Sequence, residues 1–272
     1  MKTVTFGNSS HVGMVRSDNQ DFFGKYPDEN LDLSAPKGQL FIVADGMGGH
    51  MAGRKASETA VNALARAYFS NPVDDILESL REAFKVANSE VYNLGANNPA
   101  FAGMGTTCVA LVLKDGNGYI GNIGDSRVYQ IMRRSVVQLT QDHSKVAEMV
   151  RRGIISKQEA RTHPERSHLY KALGTRPSAE ADFYNEISLF RSKYFLMCSD
   201  GLYNHVEDWE MQKTVLSNPP QKACETLVRL ANERGGLDNI TVQIVQIAVG
   251  SGPFDRFLRK ATQEKITKHV KR

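Results

Sequence analysis

At 272 residues, 41% apolar and 24% charged, the chain has the composition of an ordinary folded domain and the length to bury a sizeable core, which excludes disordered, collagen-like and membrane-embedded classes. Its formal charge of +4 is concentrated at one end: Ser251 to Arg272 hold seven Lys or Arg against Asp255 and Glu264, a local net of +5 that leaves the other 250 residues at −1. A body so close to neutral lacks the single-sign footprint of a nucleic-acid-binding domain.

Met1 to Ser10 contain no apolar core of signal-peptide length, so a cytoplasmic protein is expected. Thr3 to Phe6 is a first β-rich run and Leu40 to Ala44 a second. A helix over about Ala52 to Ser70, rich in alanine, stops at Asn71 and Pro72. In the next segment Ile76, Leu80, Phe84, Ala87, Val91 and Leu94 recur every three or four residues, which predicts a helix with one apolar face. Strands follow at Thr106 to Leu113, Gly118 to Ile123, Arg127 to Ile131 and Val136 to Leu139. Turn residues from Asp115 to Gly118, and Arg133 to Ser135, join them so tightly that neighbours must be antiparallel. From His143 to Arg176 the pattern turns to short polar helices, with Ser156 and Glu159 spaced as a capping box, and reads as a flap over the main body. Tyr194 to Cys198 and Ile240 to Val249 are further strands, separated by a helix from about Pro219 to Arg234 that ends at Gly235 and Gly236. Blocks of strands and helices, rather than alternation, predict a layered α+β fold and not a parallel doubly wound sheet. One main domain is expected over residues 1–250, with the flap at 143–176 and a basic tail at 251–272. Cys108, Cys198 and Cys224 are odd in number and lack C-x-x-C spacing, so they read as small buried hydrophobes.

Four aspartates share one placement, each abutting a strand and next to a residue suited to tight turns. They are Asp45 in Ala44-Asp-Gly46, Asp125 in Gly124-Asp-Ser126, Asp200 in Ser199-Asp-Gly201 and Asp238 in Leu237-Asp-Asn239. Any one such dipeptide is ordinary turn chemistry. Four at the same place relative to a strand point to convergence, and converging carboxylates repel one another unless cations neutralise them. Oxygen ligands select hard ions such as magnesium or manganese. Arg16 offers the fixed fork that grips two phosphate oxygens, although taken alone it reads better as a surface salt bridge. Asp21 is either a fifth carboxylate near the cations or a turn cap.

Taken in order, Arg16-Ser-Asp-Asn-Gln-Asp21, Ala44-Asp-Gly-Met-Gly-Gly-His50, Gly105-Thr-Thr107, Gly121-Asn-Ile-Gly-Asp-Ser-Arg127, Asp142-His143, His163-Pro164, Cys198-Ser-Asp-Gly201 and Asp238-Asn239 resemble the protein phosphatase type 2C family in its bacterial form. Any piece alone is weak; the ordered set over residues 12–239 is specific. The resemblance implies a central antiparallel β-sandwich with helix pairs on both outer faces, an αββα four-layer fold carrying a small flap. It implies that Asp45, the Gly46 carbonyl, Asp200 and Asp238 hold two Mn²⁺ or Mg²⁺ ions, with Asp45 shared between them. Asp21 is then expected to orient water at the metals, Arg16 to grip the phosphate, and Asp125, Asp200 and Ser167 to form a third, weaker site. The implied activity is hydrolysis of phosphoserine and phosphothreonine in proteins by direct attack of water, reversing a cognate serine/threonine kinase. A monomer with phosphoprotein substrates and no nucleic-acid partner is expected. The sixth residues after the three cysteines are Lys114, Asn204 and Leu230, so the C-x₅-R of cysteine phosphatases is absent.

Two positions depart from the family pattern. Gln20 stands where many members carry glutamate, which removes a negative charge near the metals, and Met47 stands where some eukaryotic members place a histidine proposed as general acid. The proton donor is therefore unassigned. His50 reads as a hydrogen-bonded structural histidine, and His143, His163 and His168 belong to the flap without metal or acid roles. A P-loop is suggested only by Gly48 to Lys55, where Arg54 and Lys55 break the GxxxxGK[ST] pattern. A catalytically dead binding module would need replaced aspartates, and none is replaced. In the tail, Phe254, Phe257, Leu258 and Ala261 would line one face of a helix whose other face is cationic, suited to an acidic membrane surface or partner, or the tail is simply solvated.

Overall fold

A computed structural model describes residues 2–28, 33–189 and 194–249 of the chain. The basic tail, Ser251 to Arg272, lies outside the described residues, as does the side chain of His50. Three strands come first: β1 (Lys2–His11), β2 (Asp21–Tyr26) and β3 (Gln39–Met47). Helices α1 (His50–Ser70) and α2 (Ile76–Asn97) follow. Next come β4 (Gly105–Thr106), β5 (Cys108–Lys114), β6 (Asn117–Ile123), β7 (Arg127–Met132) and β8 (Ser135–Gln138). The flap carries α3 (Lys145–Arg151) and α4 (Lys157–Thr162). Strands β9 (Asp182–Ser188) and β10 (Tyr194–Cys198), helices α5 (Asp200–Tyr203), α6 (Asp208–Ser217) and α7 (Pro220–Glu233), and β11 (Ile240–Val249) complete the fold.

Two antiparallel sheets result, ordered β1-β11-β10-β7-β8 and β2-β3-β5-β6-β9, with β4 paired to the end of β3. Strand alternation sets the layers. Along β3, Leu40, Ile42 and Ala44 pack on α1 and α2 with Leu64, Leu80 and Phe84. Phe41 and Val43 point the other way, to Val109, Phe195, Met197 and Val245 between the sheets. On the far side Leu196, Cys198, Val242 and Ile244 pack on α6 and α7 through Met211, Val215, Ala223 and Leu227. This is the four-layer arrangement, and the three cysteines are free and buried within it. Each large apolar side chain buried between the sheets contributes roughly 2 kcal/mol. A slip of one residue would turn that set outward, so the register is fixed. Among the described residues no helix is long and apolar enough to cross a membrane.

Several elements depart from expectation. β2 and β9 are not legible in the sequence; both are outer strands of one sheet, half-buried and of mixed polarity, and β2 contains Gly24. β1 runs on through Asn8, Ser9 and Ser10 to His11 because β11 pairs with it along its whole length. The run from Thr106 to Leu113 is broken at Thr107, whose side chain serves another purpose described below. The short helix α6 is likewise unanticipated.

The flap is rooted at both ends. Before it, Asp142 takes a forked set of hydrogen bonds from Arg127 of β7, at 2.6–3.1 Å, and one from Gln138 of β8 at 2.8 Å. Arg127 also stacks on the Tyr203 ring, 3.4 Å from its centroid. At its far end Leu173 bridges Thr106 of β4, while Ser144 and Leu169 close the loop on itself. The capping box forms as expected, Ser156 and Glu159 exchanging side-chain to backbone bonds of 2.7 and 3.2 Å.

Candidate metal centre

The same alternation that buries Phe41 and Val43 aims Asp45, two residues further along β3, into the gap at the end of the sandwich. Asp21 lies directly across from Asp45 in the β2–β3 ladder, so both carboxylates enter from one sheet. The other sheet answers with Ser199, just past β10, and Thr241 of β11; Ser199 Oγ donates to Asp21 Oδ2 at 2.7 Å. Asp200 opens α5 directly after β10, Asp238 precedes β11, and Asp125 sits in the β6–β7 turn behind Gly124, whose φ of 98° requires glycine.

The backbone around these residues is tightly held. Thr107 Oγ1 accepts from the Asp45 amide at 2.9 Å, and Thr106 Oγ1 donates to the Asp45 carbonyl at 2.9 Å. Asn239 pins the β1–β2 connection at three points: its Nδ2 donates to the Val12 and Asp18 carbonyls at 2.8 and 2.9 Å, and its Oδ1 accepts from the Gln20 amide at 2.8 Å. Gly46 passes so close to α1 that a methyl there would lie 2.0 Å from the Gly53 carbonyl oxygen. A methyl at Gly201 would lie 2.0 Å from the Asn239 carbonyl oxygen. Both glycines are therefore required by close approach rather than by turn geometry.

Asp45, Asp125, Asp200 and Asp238 line one cleft of about 340 Å³ together with Gly46 and Arg16. Gln20, Met47 and the exposed Ser167 of the flap line it too, whereas Asp21 is buried behind its wall. Arg16 Nη2 pairs with Asp238 Oδ2 at 2.8 Å, so the surface-salt-bridge reading and the cleft placement both hold. Asn204, one helical turn after Asp200, donates to Asp200 Oδ2 at 3.1 Å.

Burial and mutual repulsion dominate the electrostatics. Burial pushes the Asp21 carboxyl up to about 6, against the pull of the Ser199 and Thr241 hydroxyls. Burial also raises Asp125 to about 7, helped by the Asp142 charge and opposed by Arg127. Asp45 and Asp200 lie well above the usual carboxylate range, first through burial and then through the other aspartates of the cleft. Oδ1 of Asp21 and Oδ1 of Asp200 are buried without a hydrogen-bond partner. An oxygen-only set with orphaned carboxylate atoms fits a hard divalent cation. No three of the described Asp, Glu, His and Cys side chains form a closed ligand set as they stand. Asp238 is turned to Arg16 and Asp200 to Asn204, contacts that cation binding would have to exchange.

The three described histidines of the flap region do not line the cleft. His143 is buried, accepts from the Gly124 amide through Nδ1 at 3.1 Å, and presents Nε2 to an Asp182 carboxylate oxygen 3.2 Å away. That contact is too poorly aligned to count as a hydrogen bond, and burial lowers the imidazole pKa. His163 Nδ1 accepts from the Glu165 amide, and His168 is exposed beside Glu165. Thr107, Ser199, Asn239 and Asn204 are the supporting residues that sequence reasoning did not single out. The first three lie inside or beside the motifs quoted above, but nothing local marks whose atoms they bind.

The Protein phosphatase 2C family model matches residues 16–238. Protein phosphatase PhpP of Streptococcus pneumoniae is 37% identical over 241 residues, covering 87% of this chain and 94% of that protein. Among solved structures, serine/threonine phosphatase Stp1 from Staphylococcus aureus superposes with a TM-score of 0.81 at 31% identity, covering 90% of this chain and 95% of that one. The catalytic domain of the serine/threonine protein phosphatase PstP, solved in complex with two manganese ions, gives a TM-score of 0.76 at 28% identity, covering 91% and 100%.

Proposed function

The chain belongs to the protein phosphatase 2C family and is a protein serine/threonine phosphatase of the bacterial kind, the counterpart of serine/threonine kinases in signalling, and from that premise we propose that it hydrolyses phosphoserine and phosphothreonine at the carboxylate cleft without a phosphorylated enzyme intermediate. The observation that carries this reading is the convergence of aspartates from both sheets on one cleft with Arg16 on its wall. Asp45, the carbonyl of Gly46, Asp200 and Asp238 would hold two divalent cations, Mn²⁺ or Mg²⁺, and Asp125 and Asp200 with Ser167 a third. The manganese found in PstP supports that choice of ion. When bound, such cations supply Lewis acidity and make water nucleophilic near neutral pH.

The chain's own residues do the rest. Arg16 offers its fork to two phosphate oxygens, fixing the phosphoryl group for in-line attack. Asp21, which accepts a hydrogen bond from Ser199 of the opposite sheet, would orient water at the metals. Thr106 and Thr107 fix the Asp45 backbone and so the point from which its carboxylate enters the cleft. Every ligand aspartate is present, which favours an enzyme over a phosphoprotein-binding relative. The remaining parts of the reading are a single catalytic domain over residues 1–250 with the flap at 143–176, a basic tail at 251–272, a monomeric state, a cytoplasmic location and a cognate kinase.

The test is chelation followed by manganese, read on a phosphothreonine peptide and on p-nitrophenyl phosphate. Activity should vanish and return. Asp45→Asn and Asp200→Asn should each lower kcat by about 1,000-fold, equivalent to roughly 4 kcal/mol of barrier, while circular dichroism stays that of the parent. Turnover that survives chelation overturns the mechanism.

A further inference from the structure

A second groove, of about 900 Å³, runs between the flap and the body and adjoins the cleft: Arg16, Ser167, Asp200 and Asp238 line both. Its flap wall comes from α4 and the turn after it. The ionisable side chains on that wall are Lys157, Arg161 and Arg166, with no acid among them. The flap's own acids are engaged elsewhere, Glu159 in the capping box, Glu165 with Lys145 and Glu148 with Arg152.

Three of the groove's cations are committed to the body, the first being Arg16 on Asp238. Arg161 reaches across to Glu207, and Arg234 forks onto Glu210 at 2.6 and 2.7 Å. Lys157 and Arg166 are exposed and make no ion pair among the described residues. Of the other acids on the body wall, Asp200 and Asp238 belong to the catalytic cleft, and Asp208 opens α6, where the helix N-terminus already stabilises its charge. Uncommitted cations in a concave site concentrate an anionic segment far better than the same charges on open surface.

Building on the catalytic reading above, we propose that this groove binds the polypeptide flanking the phosphoresidue and selects protein substrates with acidic side chains there. The contact is made equally in the bound and transition states, so it belongs in KM rather than kcat.

Two phosphothreonine peptides, identical except that the flanking residues are Asp in one and Asn in the other, test this. The readout is the ratio of their kcat/KM values, in which any general loss of activity cancels. The parent enzyme should favour the Asp peptide by about tenfold, through KM. In the Lys157→Glu/Arg166→Glu variant the ratio should fall to about one or below. The Arg66→Glu/Lys85→Glu variant carries the same charge change on the helices of the opposite layer and should keep the parent ratio. Equal rates for both peptides in the parent, a preference that survives in the groove variant, or the same fall in the control each overturns the inference. Failure of the catalytic reading looks different: neither peptide nor p-nitrophenyl phosphate is turned over, and both conclusions fall together.

Discussion

Arg16 shows how one side chain can serve two states. Its guanidinium pairs with Asp238 at 2.8 Å, yet the side chain is 56% exposed, and a pair this wet is worth about 1 kcal/mol or less. Exchanging that partner for a phosphate, which can accept both prongs of the fork, is therefore inexpensive. Arg16→Ala should raise KM for a phosphopeptide about tenfold with a smaller change in kcat, the signature of lost uniform binding. An unchanged KM with a collapsed kcat would place Arg16 in the chemical step instead. At this scale the sequence showed the aspartates well, because a carboxylate beside a buried strand and a turn residue is a local pattern. Ser199, Asn239 and Asn204 were invisible in that sense. Whether a hydroxyl or amide holds a catalytic carboxylate or faces water depends on strands that meet only in space, as Ser199 meets Asp21 from 178 residues away.

Among the elements, the strand-to-helix passage from β3 to α1 has the least tolerance. Gly46 lies against the backbone of Gly53, so a Cβ there cannot be accommodated by a side-chain rotation. Gly46→Ala should cost about 1–3 kcal/mol of stability through overpacking and, by displacing the Asp45–Gly46 segment, lower turnover at least tenfold. Thermal melting and phosphopeptide kinetics together check this; parent values for both would show that α1 can shift without consequence. The long, strongly periodic helix α2 and the buried strands β5, β6, β10 and β11 were legible because both faces or one full face are apolar. The outer strands β2 and β9 were not, since a strand paired on one side and half-buried carries neither a continuous apolar run nor clean alternation.

For the whole molecule, the buried carboxylates tie stability to pH and to metal. Asp21 titrates near 6 and Asp125 near 7, and Asp45 and Asp200 are raised as well, burial being the first cause in each. A raised carboxyl contributes stability that is present below its unfolded value, about 4, and lost as pH rises through the folded values. The metal-free protein should therefore melt at a lower temperature as pH climbs from about 5 to 8, and manganese, which needs the deprotonated set, should stabilise more over the same window. His143, lowered by burial, works in the opposite direction below about 6.5. Because it does so with or without metal, the readout is the melting difference between manganese-loaded and chelated protein at each pH. A difference that is flat or shrinks with rising pH contradicts a cation-binding carboxylate cluster. The layered α+β class followed from blocks of strands and helices, but which strand sits beside which did not, because β1 and β11 pair from opposite ends of the chain. The flap has one footing in each sheet, Asp142 on Arg127 of β7 and Leu173 on Thr106 of β4. Excising it would thus remove one tie, beside the apolar layer between the sheets, from the frame that spaces Asp21 and Asp45 against Asp200 and Asp238. A sluggish flap-deleted enzyme would report a sprung frame as much as a lost grip on substrate, whereas transplanting a relative's flap onto both anchorages separates the two.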